Sequence, residues 1–94
     1  MSNLTNSINT LVCISDVLKG TNMGRSKLYL EIQRGFFTKP VKTGSSSAWP
    51  ISELTILIAA RTAGKTDDEI RHIVDRLHEQ RIERLNKLLA EANV

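Results

Sequence analysis

Few side chains in this sequence are of types and spacings that do covalent chemistry. His72 and His78 are six residues apart, which on a helix turns them about 120° away from each other, and neither has a zinc-type spacing to the lone Cys13. The reading is two surface histidines. Glycines stand singly at 20, 24, 35, 44 and 64 with no phosphate-cradling run. Carboxylates gather near the C-terminus among Arg and Lys, where Asp67 with Arg71 and Glu83 with Lys87 have the spacing of helical ion pairs. The chain therefore reads as a non-enzyme, with no catalytic residues, no cofactor and no metal.

What the sequence does concentrate is positive charge. Residues 19–42 carry six basic side chains (Lys19, Arg25, Lys27, Arg34, Lys39, Lys42) against one acidic one, Glu31, whereas residues 67–94 carry five basic and seven acidic. A basic surface of this kind suits a polyanion, and each DNA phosphate it neutralises releases counterions. Arg25, Ser26 and Lys27 would open a helix able to enter a major groove, with Arg25 the first choice for reading a base edge. Lys27 would serve a base or a phosphate. Tyr29 either turns its hydroxyl toward the DNA backbone or packs as a core tyrosine. Arg34, Lys39 and Lys42 would grip phosphate, with hydroxyls from Ser45, Ser46 and Ser47 beside them.

These residues need a scaffold, and 94 residues support one small core. All four aromatic side chains, Tyr29, Phe36, Phe37 and Trp49, lie within residues 29–49, where packing should be tightest. Residues 1–10 are polar and aperiodic and read as a frayed arm. Cys13 lies in the apolar run Leu11–Ile14 and reads as a small buried hydrophobe of a reducing compartment. No stretch approaches a membrane span or a secretory leader, so a cytoplasmic protein is expected.

The first helix is expected after Ser15 as N-cap and is expected to stop at Gly20. A second runs from Arg25 to about Arg34, with Leu28 and Ile32 inward and Gly35 ending it. Lys39–Lys42 and Ala48–Trp49 then read as a hairpin around a loop of residues 43–47, with Pro40 at an edge or strand start. A third helix follows Pro50 with Ser52 as its cap. Gly64 stops it, and Thr66 with Glu69 forms a capping box for a fourth helix reaching about Ala92.

On that last helix Ile70, Ile73, Val74 and Leu77 make one apolar stripe, interrupted at Arg81 and resumed by Ile82, Leu85, Leu88 and Leu89. A helix this long outreaches so small a core. Its far end either folds back on its own domain or meets a second copy.

The segments Ile14–Val17, Met23–Tyr29, Gly35–Lys42 and Ala48–Trp49 resemble the AlpA family of phage and prophage regulators, which groups with the MerR-like and excisionase-like winged helices. The resemblance covers about residues 11–63. It implies a mainly α fold with a small β-hairpin, a winged helix-turn-helix over 11–63; the arm of 1–10 and the C-terminal helical extension, residues 64–94, are read from the residues alone, the tail being longer than the minimal family pattern. It also implies a bacterial or phage-encoded, nucleoid-associated regulator of a mobile element. Such a protein controls transcription or acts as an excisionase, that is, a recombination directionality factor, on double-stranded DNA. A homodimer or cooperative oligomer on DNA, and an integrase, are the further partners to consider. By position, Arg25, Ser26, Lys27 and Tyr29 match the recognition helix, and Lys39, Lys42 and Thr43 to Ser47 match the wing. The chain departs from the family at its serine wing tip, where relatives commonly carry Arg, and at Leu30, which replaces a usual basic residue. The competing expectation is a protein-interaction module, such as an anti-repressor or inhibitor, acting through the C-terminal helix.

Overall fold

The computed structural model describes residues 10–92; apart from Thr10, the expected arm lies outside the described residues. The elements run β1 (Leu11–Cys13), α1 (Ile14–Thr21), α2 (Arg25–Gln33), β2 (Val41–Thr43), β3 (Ser46–Pro50), α3 (Ile51–Thr62) and α4 (Asp67–Glu91). The result is a mainly helical small domain with a three-stranded antiparallel sheet and a long C-terminal helix.

The sheet is larger than the expected hairpin. Its order is β1-β3-β2, with Val12 opposite Trp49 and Val41 opposite Ala48. β1 is a strand because its hydrogen-bonding partner is supplied by β3, a pairing that local pattern does not reveal. Strand alternation also overturns the expected burial of Cys13. Val12 is half-buried against the core, while Leu11 and Cys13 alternate outward and are exposed.

The hairpin connection is only Gly44-Ser45, so Thr43, Ser46 and Ser47 belong to strands and not to a five-residue loop. Gly44 has φ +68°, the first-position glycine of a type II′ turn, which lets two residues close the ladder. Pro40 immediately precedes edge strand β2, where its missing N–H costs no ladder bond.

Helix boundaries differ from expectation at two starts and one stop. α1 begins at Ile14 with Cys13 as N-cap, and α3 begins at Ile51 with Pro50 as N-cap, so neither Ser15 nor Ser52 caps. In both cases a strand runs straight into the helix and dictates where it starts. Gly20 lies inside α1, where a Cβ would sit 3.4 Å from Ile58 Cδ1 and 3.5 Å from Leu54 Cδ2. The chain instead turns at Asn22, which takes the left-handed conformation at φ 58°.

Other signals act as expected. Gly35 and Gly64, at φ +85° and +78°, end α2 and α3. In each case the next amide bonds back to a carbonyl five residues earlier, Phe36 N–H to Glu31 O and Lys65 N–H to Ala60 O, a Schellman closure. Thr66 Oγ1 accepts from Glu69 N–H at 3.2 Å while Glu69 Oε1 accepts from Thr66 N–H at 2.9 Å, a complete capping box at the start of α4.

Val17, Leu28, Phe37, Trp49, Leu54, Leu57, Ile70, Val74 and Leu77 form the core. Phe37 and Trp49 meet edge to face, centroids 6.4 Å apart, and Trp49 Nε1–H donates to Thr38 O at 2.9 Å. The α4 stripe enters this core as far as Leu77. Beyond Arg81, Ile82, Leu85, Leu88 and Leu89 are 65%, 55%, 49% and 41% exposed, so the far end does not fold back. Among the described residues no helix is long and apolar enough to cross a membrane.

Candidate nucleic-acid interface

α1 and α2 form a tight corner because Asn22 redirects the chain and Met23 N–H bonds back to Leu18 O at 3.1 Å. Val17 and Leu28 anchor the two helices in the core. Leu28 and Glu31 are buried on α2 and Ile32 is half-buried, so helical rotation turns the rest outward. Ser26, Tyr29, Leu30 and Gln33 line the middle of this outer face, with Arg25 one turn before Tyr29.

The structure therefore brings Arg25, Ser26 and Tyr29 together at the exposed side of α2 and resolves Tyr29 as a surface residue. Lys27 lies on the opposite flank. Its Nζ is 3.5 Å from Glu31 Oε2. Gln33, which the basic-residue pattern does not single out, shares the outer face with Leu30; the helical spacing of Gln33 from Ser26 and Tyr29 is the signal that finds it.

Glu31 is the only acidic residue of the 19–42 segment, and it is 5% exposed. Arg61 Nη2–H donates to its Oε1 at 2.8 Å and to Phe36 O at 3.0 Å. Lys19, Arg25, Lys27, Arg34, Lys39 and Lys42 are all exposed, so every formally charged side chain that this segment shows to solvent is a cation.

The hairpin groups Lys42, Thr43, Ser45 and Ser46. Lys42 pairs with Ser47 across the ladder and its Nζ donates to Ser47 Oγ at 2.9 Å. Arg34 and Lys39 stand near the ends of the link between α2 and β2, and side chains from α3, α4 and β3 hold its backbone. Arg71 Nε–H donates to Arg34 O at 3.1 Å with its guanidinium 4.5 Å from the Phe36 ring centroid. Arg81 Nη2–H donates to Lys39 O at 2.7 Å, and Lys39 N–H donates to His78 Nε2 at 3.1 Å. An irregular segment needs such partners for its polar groups.

This corrects the expectation of two surface histidines. His72 is exposed, but His78 is half-buried and serves as an acceptor. Burial, then the Arg81 guanidinium, hold its pKa below the ordinary imidazole value. Ion pairs along α4 also differ from expectation. Arg71 reaches Asp68, and Glu83 accepts from Arg76, which also reaches Glu79. Those partners are at i, i+3 and i, i+7, because rotamers choose among several carboxylates within reach.

Cys13 Sγ lies 3.0 Å from Ser15 Oγ, and that hydrogen bond is the main cause lowering its thiol pKa. Among the described residues no group of three His, Cys, Asp or Glu side chains is placed to hold a metal ion. No family model, curated protein or solved structure gives a significant match to the chain.

Proposed function

We propose that the chain is a sequence-specific DNA-binding regulator of a mobile element, in which the corner of α1 and α2 with the β2–β3 hairpin acts as a winged helix-turn-helix. The observation that carries this reading is the burial of Glu31 on Arg61, which leaves the exposed charge of residues 19–42 wholly positive. The resemblance of the same segments to AlpA-type regulators points the same way.

On this reading α2 lies in the major groove, Arg25 reads a guanine edge, and Ser26 and Tyr29 contact base or backbone. Lys27, Arg34, Lys39 and Lys42 meet phosphates, and Thr43, Ser45 and Ser46 add hydroxyl contacts from the hairpin. The protein acts by affinity, as a transcription regulator or as an excisionase working beside an integrase.

Selection from a random duplex pool, followed by anisotropy titration, tests this. A consensus should emerge that binds roughly a thousandfold or more tighter than random DNA. Arg25→Ala should lower that preference about tenfold to a hundredfold with an unchanged circular dichroism spectrum. Lys42→Ala should weaken all duplexes alike and reduce the salt slope by about one. Failure to bind any duplex at low salt would sink the proposal.

A further inference from the structure

The last three turns of α4 are amphipathic in a way the domain does not use. Taking Leu77 as the origin, Leu88, Leu85, Leu89 and Ile82 fall within an arc of about 20–140°, and Arg84, Glu91, Lys87, Glu83 and Asn86 within about 180–340°. The four apolar side chains are the exposed ones beyond Arg81. Part of the polar back is satisfied within the chain, since Arg76 donates to both Glu79 and Glu83. Among the described residues none of the four joins the core, to which α4 contributes Ile70, Val74 and Leu77, and Leu88 borders an open groove whose other side carries Leu11, Val41 and Ile56.

The two flanks of this arc select what can cover it. Arg84 and Glu91 are seven residues apart and share one flank; Ile82 and Leu89, also seven apart, form the other. Side-by-side helices running in the same direction would set the charged flank of one against the apolar flank of the other. Reversing one helix about a two-fold axis brings like flanks together. Ile82 then faces Leu89 of the second copy, and Arg84 faces Glu91 of the second copy, each contact occurring twice. The surface is self-complementary only in the antiparallel arrangement.

We infer that the distal half of α4, centred on Leu85 and Leu88, docks antiparallel against the same segment of a second copy of this chain. The interface is isologous, with a leucine-rich seam and two symmetric Arg84–Glu91 pairs at its rim. It is independent of the DNA reading.

Sedimentation equilibrium of the full chain over a wide concentration range tests it. A reversible monomer–dimer equilibrium is expected. Leu85→Glu should raise the dissociation constant roughly a hundredfold or more, while the melting temperature of the monomer is unchanged because Leu85 lies outside the core. Arg84→Glu and Glu91→Arg should each weaken the dimer by about fivefold, and together restore it. A chain that stays monomeric up to millimolar concentration overturns the inference, as does a dimer indifferent to Leu85→Glu. Single charge reversals without effect, or a double reversal that fails to recover, overturn the antiparallel register.

Discussion

Arg81 closes a two-point clamp on Glu53, with Nε 2.8 Å from Oε2 and Nη2 2.7 Å from Oε1, although the two residues belong to different helices and Glu53 is only 4% exposed. The same guanidinium caps Lys39 O, so one side chain ties α3, α4 and the link to the hairpin. Arg81 interrupts the apolar stripe of α4 because the carboxylate beneath it has to be neutralised.

Removing Arg81 leaves that carboxylate buried without its partner. Arg81→Leu is expected to destabilise the fold by about 3 kcal/mol in urea unfolding. Adding Glu53→Leu should recover most of the loss, since an apolar pair needs no desolvation of charge. A double variant as unstable as the single one would contradict the assignment.

His78 makes stability depend on pH with a defined sign. Its folded pKa lies below the ordinary 6.5, so between the two values the unfolded chain binds more protons. The contribution is complete above pH 6.5 and is lost as pH falls from there toward the folded pKa. Protonation also removes the acceptor for Lys39 N–H. Melting temperature should therefore drop on acidification through this range, and His78→Gln should flatten the dependence. An equally steep profile in the variant would assign it elsewhere.

Gly35 occupies a left-handed corner at φ +85°, and a Cβ there would lie 3.5 Å from Arg71 Cγ. Gly35→Ala should cost about 1–2 kcal/mol, with Gly35→Asn costing less. Equilibrium unfolding of the two variants decides this; equal stability of wild type and Gly35→Ala would mean the corner relaxes.

Thr38 is fully buried with no hydrogen-bond partner for Oγ1 among the described residues. Replacing that hydroxyl by a methyl of similar shape removes a desolvation cost without opening a cavity. Thr38→Val should raise stability by about 1 kcal/mol; a loss would show that the hydroxyl has a solvent partner.

The parts of the fold legible in the sequence are those set by neighbours three to five residues apart. The Thr66–Glu69 box, the closing glycines 35 and 64, the inward Leu28 and the proximal stripe of α4 all belong to this class. The outer face of α2 follows from the same period. Only tertiary structure could pair Leu11 with Pro50, bury Glu31 under Arg61, or lay Arg71 and Arg81 on carbonyls of a distant link. The sequence counts 13 lysines and arginines alike. Folding divides them, because a guanidinium within reach of a buried carboxylate or an unpaired carbonyl is committed there. Arg25 and Lys19 remain at the surface, and that division depends on contacts between residues about 25 to 42 positions apart.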